Sequence, residues 1–317
     1  MNAMLLAAGR GERMEPLSSI VAKPALEVLG EPLCATAVRQ LARFGDTLVV
    51  NLHRHPRQVA AAVREVLGDR RVFFSWEPVL LGGAGGLARA RRLFGPGPLL
   101  VGNGDTVSAL DLAPLAAAAD PECCTLGLLP HPDPRRWSSV ELASDGRVRT
   151  IFPAGAADGG DLFLFTGFQV LGAEVLACLP SPPGELAPVW QRLREAGRLR
   201  GVVLRGEWQE AGTPRGFLDL VLDRVGPLGW RHPQAILAED AVLEHSAVGR
   251  GCGVGRGCRL MATVVTAGAS IGPRSEIEGC VVAGAFALPA GTRARDELLL
   301  PGGRYALPPA GATGQRA

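Results

Sequence analysis

Along the first hundred positions, short apolar runs alternate with amphipathic stretches. AMLLA at 3–7, TLVVN at 47–51, VFFSW at 72–76 and the run PLLVGNGD have the look of buried strands, the first stopped by a glycine turn. Helical periodicity covers 33–44 and 56–67, where Val59, Val63 and Leu67 share one face. A further helix-compatible stretch, LARARRLF, follows the glycines at 82, 83, 85 and 86. This alternation predicts βαβ units, an α/β fold and a mostly parallel sheet. Ligands of such sheets collect at the carboxyl ends of the strands, where the loops Gly9–Gly11, Gly82–Gly86 and Asn103–Asp105 would emerge. From 124 to 225 the pattern is mixed. TLGLL, SSVELA, RVRTIF and LFLFTGFQVL read as strands, with helices near 186–196 and 214–225.

After a Pro/Gly/His-rich joint at 226–234 the text changes. Ile236, Val242, Val248, Val254 and Leu260 recur every six residues, Ile271 and Ile277 resume the beat, and Leu288 and Ala294 repeat it. Small residues follow four positions behind several of these, at Ser246, Cys252, Cys258 and Ser275. The stretch resembles the hexapeptide repeat of left-handed parallel β-helices, with one aliphatic side chain inward per face, a small residue at each tight corner and about eighteen residues per coil. Residues 236–300 make about three and a half such coils, with slips near 262–266 and 282. The expected organisation is an α/β domain over 1–228, a β-helix over 229–301 and a disordered tail over 302–317.

Composition narrows the partners. The 317 residues suit about two domains, and 47% hydrophobic content with 20% charge supports a sizeable core. A net charge of +2 argues against a nucleic-acid partner. No apolar run approaches a membrane span and the N-terminal one is too short for a signal peptide, so no membrane partner and a cytoplasmic location are expected. Seven cysteines without a CxxC pair argue against a disulfide framework or structural zinc; Cys123–Cys124 read as small buried residues. Lys23 is the sole lysine, every other basic residue being arginine. An ammonium and a guanidinium are not interchangeable beside phosphates, so its retention marks a site.

Lys23 lies in LLAAGRGERMEPLSSIVAKPALEVLGEPL. Glycines there let backbone N–H groups approach an anion, and Arg13 can add a bidentate fork. The segment resembles, without a gap, the signature of the sugar-1-phosphate nucleotidyltransferases, through Leu6-Ala7-Ala8-Gly9, Gly11, Arg13, Pro16-Leu17, Lys23-Pro24, Leu26 and Gly30. EPVLLGGAGGL at 77–87 is similar to that family's base-contacting loop, with Gly83 where threonine is usual. LLVGNGD resembles its metal-aspartate strand end, GEWQEAGTPRG its second metal-carboxylate segment, and FLFTGFQVL the strand beside its sugar pocket.

The resemblance implies a Rossmann-like core that joins a nucleoside triphosphate, GTP or UTP, to a sugar 1-phosphate and releases pyrophosphate. Among members it is nearest to mannose-1-phosphate guanylyltransferases, which the β-helix favours, and to muramate-type uridylyltransferases. It implies Arg13, Lys23 and Asp105 as catalytic residues. Nucleotide contacts would come from Leu6, Ala8, Gly9, Gly11, Glu77, Gly82, Gly83, Gly85 and Asn103, and sugar-phosphate contacts from Thr166 and Gly167. Asp105 and Glu210 would hold Mg²⁺. In-line displacement of this kind asks for positioning and charge neutralisation, with no covalent nucleophile. Taken singly, Arg13 could be a solvated arginine, Asp105 a helix cap, and His245 a corner residue of the repeats or, less simply, the base of an acyltransferase. Three departures stand out. Ala22 replaces a proline, Glu210 stands where aspartate is usual, and a Glu-Lys-Pro motif against the sugar phosphate is missing, leaving Arg149 as a candidate cation. They keep open a second expectation, a non-catalytic subunit that senses nucleotide-sugars through the same loop. The stacked coils would also offer a surface for a homo-oligomer.

Overall fold

The computed structural model describes residues 1–45, 47–157 and 160–308. The first half of the chain supplies β1 (Asn2–Leu6), α1 (Ala35–Leu41), β2 (Thr47–Leu52), α2 (Pro56–Leu67), β3 (Arg71–Trp76), α3 (Gly82–Ala90), β4 (Leu99–Asn103) and β5 (Thr106–Ser108). It continues through β6 (Cys124–Pro130), β7 (Ser139–Leu142), β8 (Val148–Phe152), β9 (Leu162–Leu171), α4 (Leu186–Glu195) and β10 (Leu199–Val203). Nine strands form one sheet in the order β8-β7-β9-β4-β1-β2-β3, with β6 pairing to β9 and β10. The β4-β1-β2-β3 half is parallel, as buried runs joined by crossover helices require. Strand β9 runs antiparallel to β4, β6 and β7, which makes the sheet mixed. Met4, Val49, Leu87, Leu99, Val101, Leu126 and Leu171 belong to its core. Helix α3 begins at Gly82, so the glycine cluster forms the first turns of the helix that the sequence places after it.

Contacts divide the chain into two units: Met1–Arg10 with Cys34–Trp208, and Gly11–Leu33 with Gln209–Ala317. The segment carrying Lys23 therefore groups with the C-terminal region, where the sequence expectation placed it with residues 1–228. Within this second unit, Val221, Glu27 and Leu29 border a small gap with Trp230, Ala247 and Val264. A side chain on Gly30 would come within 3.3 Å of His232, and one on Gly284 within 3.2 Å of Ile20. The loop that bears the lysine is thus packed along the coils.

The coils form three parallel ladders. Their repeat is 17 residues, not eighteen: hydrogen bonds join Thr263 to Ser246, Cys280 to Thr263 and Thr292 to Ser275 at that separation. Inward side chains step by six, six and five, through Val248, Val254, Leu260, Val265, Ile271, Ile277, Val282, Leu288, Ala294 and Leu299. The expected slips are this five-residue face returning once per coil. In the first coil Leu237 and Leu243 pack inward, while the expected anchors Ile236 and Val242 point out, 78% and 38% exposed. Alternation permits only one of two adjacent strand positions to face in, and leucine took it. Ser246, Cys252, Cys258 and Ser275 are buried at corners, where hydroxyls and thiols bond to backbone oxygens such as Thr266 O and Gly272 O. His245 sits at a corner with φ 44, exposed, its Nε2 2.9 Å from Leu222 O, in keeping with the corner reading. Past the coils, Gly303–Ala306 add an antiparallel strand to Glu297–Leu300, so the tail expected from 302 opens with ordered structure. The rest of that expected tail, 309–317, lies outside the described residues.

Candidate active site

Arg13, Lys23 and Glu210 meet in the second unit. Arg13 Nη2 donates to Glu210 Oε1 at 2.8 Å, and Lys23 Nζ lies 3.7 Å from the same oxygen. Local folding sets this up. Gly11, at φ 66, turns the chain into a short 3-10 segment, Glu12–Met14, and Ser18 Oγ donates to Gly11 O at 2.9 Å to close the loop. Ala22 holds φ −58 and ψ 132, a backbone that proline would also take, so the loop reaches Lys23 without it. Beyond Glu210, Thr213 caps the helix Pro214–Leu222 by accepting from Gly216 N–H at 3.0 Å, and Pro214 fills the first turn. Gly212 leaves room between them, since a side chain there would lie 3.3 Å from both Arg13 Nη1 and Glu210 Oε1. Lys23 and Glu210 have side chains only 10% and 12% exposed, whereas Arg13 is 63% exposed. A sheltered carboxylate between two cations is neutralised in the protein alone, and the cations are placed where an oxyanion can take over.

The first unit collects the remaining candidates at the carboxyl ends of β1 to β4. A side chain on Gly9 would meet nothing within 4 Å, so the backbone there is open to close approach. Leu6 ends β1 and its carbonyl accepts from Gly104 N–H at 2.9 Å, tying the strand end to the turn that carries Asp105. Ala8 is buried, and its side chain serves packing. Asp105 occupies the turn between β4 and β5, and does not cap a helix.

A network that sequence reasoning missed binds these loops. Asn51, buried at the end of β2, accepts from Ala7 N–H at 2.7 Å and donates to Glu77 Oε1 at 2.8 Å. Glu77 Oε2 accepts from Leu81 N–H at 3.1 Å, and its carbonyl oxygen lies 2.8 Å from His53 Nδ1. Glu77, expected to contact the nucleotide, is fully buried and spends both oxygens inside the protein. Its part is to fix the following turn. The one sequence signal for Asn51 was a polar residue closing an otherwise apolar strand.

The glycines of α3 answer to packing. Side chains on Gly82, Gly83 and Gly85 would run into Glu185, Leu186 and Gly184, at 2.5, 2.9 and 3.0 Å. The strap 182–186 is bonded there by Gly85 N–H to Gly184 O and by Gly184 N–H to Leu81 O. Gly83 thus leaves room for Leu186.

Thr166, expected to contact the sugar phosphate, is fully buried. Its hydroxyl donates to Gly127 O at 2.8 Å, and its carbonyl accepts from Trp208 Nε1 at 2.9 Å. Its hydroxyl is thus spent on Gly127 and its carbonyl on Trp208, and Gly167 beside it is buried as well. Gly167 has φ 86 beside Asn103, whose Nδ2 a side chain would approach to 3.0 Å. Arg149 pairs with Glu141 at 3.0 Å on the β7–β8 hairpin.

Burial pushes the Cys34 and Cys124 thiols up to about 12 and Cys280 up to about 11. These cysteines are inert packing residues. The described residues contain no cluster of three or more His, Cys, Asp or Glu able to hold a metal. They also contain no helix long and apolar enough to cross a membrane.

A model of the nucleotidyl transferase family matches residues 2–223. The N-acetylmuramate alpha-1-phosphate uridylyltransferase of Neisseria meningitidis serogroup B is 32% identical over 224 residues, covering 67% of this chain and 94% of that protein. The mannose-1-phosphate guanylyltransferase of Mycobacterium tuberculosis is 26% identical over 310 residues, 89% of this chain and 79% of that one. Among solved structures, HddC from Yersinia pseudotuberculosis has a TM-score of 0.60 at 18% identity, covering 70% of this chain and 99% of its own, a likeness of fold.

Proposed function

The chain belongs to the nucleotidyl transferase family, and from that premise we propose that it joins a nucleoside triphosphate to a sugar 1-phosphate, releasing pyrophosphate. The observation that carries the site assignment is the convergence of Lys23 and Arg13 on Glu210 Oε1. A triphosphate needs two cations that can exchange one anion for another without moving far. Arg13 and the backbone N–H groups of Gly9 and Gly11 take the outer phosphates, and Lys23 neutralises charge gathering at the α-phosphoryl and the incoming phosphate. A phosphate oxygen of the sugar 1-phosphate displaces pyrophosphate in line, so the chain supplies positioning and charge.

Asp105 and Glu210 are the carboxylates that would hold a divalent ion, Mg²⁺ in this reading. Their hard oxygens suit it, and such an ion draws its remaining ligands from phosphates and water. When bound, the ion withdraws charge from the phosphates. Glu210 is freed for this role once phosphates engage Arg13 and Lys23. Asn103, Gly82, Gly83 and Gly85 border the nucleoside, and Gly167 the sugar. Reaction partners of this kind belong to the cytoplasm, where we place the protein.

Two substrate pairs are favoured. Identity over nearly the whole of one relative supports UTP with N-acetylmuramate 1-phosphate. Alignment through 89% of this chain supports GTP with mannose 1-phosphate. Pyrophosphate release, measured with Mg²⁺ for each triphosphate against each sugar 1-phosphate, tests the reading. Turnover with one pair is expected; nucleotide binding without turnover on any pair would instead fit a sensing subunit.

A further inference from the structure

We propose that Trp137 reads the sugar ring of the sugar 1-phosphate, with Trp208 as the second wall of that subsite and Arg136 as the residue that positions Trp137. The inference rests on placing the sugar beside Gly167. Trp208 is fixed there by its indole N–H, which donates to Thr166 O at 2.9 Å. Trp137 meets it with ring centroids 5.7 Å apart and planes at 74°, so the two indoles make a near right-angled corner. Arg136 Cζ lies 4.3 Å over the Trp137 ring, and the His131 ring stands 6.5 Å away, tilted by 49°.

The loop that presents Trp137 is built to hold it. Trp137 N–H and Arg136 N–H donate to Asp133 O at 3.4 and 3.1 Å, and Asp133 N–H donates to His131 Nδ1 at 3.2 Å. His131 N–H donates to Leu162 O at 3.0 Å, and Gly155 N–H reaches back to Pro134 O at 2.8 Å. These bonds seat the loop 131–138 on β9 and on the loop at 153–155, where the Glu-Lys-Pro motif is missing. An indole only half-buried on a loop of this kind has apolar surface left over. A pyranose ring offers a matching apolar face of C–H groups, with its hydroxyls turned to the rim. The Arg136 guanidinium stacked on one face of the indole keeps the ring in place.

The test is a split between the two Michaelis constants. Trp137→Ala should raise KM for the sugar 1-phosphate about tenfold and leave KM for the triphosphate within about twofold, with kcat little changed. Trp137→Phe, which keeps a flat ring, should restore most of the affinity. Arg136→Met should raise the sugar KM about threefold without touching the triphosphate KM. An equal rise in both constants, or an unchanged sugar KM, overturns the inference and leaves the proposed reaction standing. If no pair turns over, the reaction is wrong, and calorimetric titration of wild type and Trp137→Ala with mannose 1-phosphate and with N-acetylmuramate 1-phosphate decides separately. Binding by wild type alone supports the role; equal binding, or none to either, overturns it.

Discussion

Lys23 and Glu210 were legible because each is an exception: the only lysine, and a carboxylate ahead of a Gly-Thr-Pro helix start. Lys23→Arg keeps the charge but replaces a compact ammonium, in a position only 10% exposed, by a wide planar fork. Turnover should fall by on the order of 10²–10³ with the unfolding midpoint unchanged; pyrophosphate release and thermal unfolding of the variant check this together. Asn51 was not legible, because what it does depends on Ala7 and Glu77, which only the parallel pairing of β1, β2 and β3 brings beside it. Glu77 and Thr166 were assigned contacts from their place in motifs, yet both are spent on internal hydrogen bonds, a matter of burial that spacing does not encode. The cysteines divide as their surroundings dictate. Only Cys178 is exposed, so native-state alkylation followed by peptide mass mapping should label Cys178 and leave the other six unmodified. The folded state favours the protonated thiol of Cys34, pushed by burial from 9.0 to about 12. Its contribution is complete below pH 9 and lost as pH rises through 12. Cys34→Ala should flatten the fall of stability over that interval in denaturant titrations.

At the level of elements, periodicity served the sheet well. Helices α2 and α4 begin and end within a residue of their expected limits, because an amphipathic stripe and a proline or glycine at the ends specify both. The glycines 82–86 misled: glycine ordinarily breaks helices, but here the strap at 183–186 crowds Gly82, Gly83 and Gly85, and Glu77 with Asn51 crowds Gly86, so packing overrides propensity. The repeat was visible while its length was not. Aliphatic residues occupy both adjacent positions in the first coil, and only the inward contact of Leu237 and Leu243 resolves the register. Ile236→Ala, at a position 78% exposed, should change unfolding free energy by no more than about 0.5 kcal/mol. Leu260→Ala, fully buried between coils, should cost about 2–5 kcal/mol. Equal effects in denaturant melts would refute the seventeen-residue register.

Over the whole molecule, the sequence suggested a catalytic domain followed by an accessory one, whereas the segment Gly11–Leu33 groups with Gln209–Ala317. That grouping could not be read from the chain order, since packing of Gly30 beside His232 and of Ile20 beside Gly284 joins residues more than two hundred positions apart. A chain ending after the helix Pro214–Leu222 should therefore lose triphosphate binding even where β1 to β10 remain folded, a result that circular dichroism and nucleotide titration would show together. Retained affinity would refute the dependence. The stacked coils are the frame along which the Lys23 loop is packed. If that loop grips the triphosphate as proposed, a blow to the coils' far end, by proteolysis or by a partner prying at the closing hairpin, would be felt as a slackened hold on the leaving group.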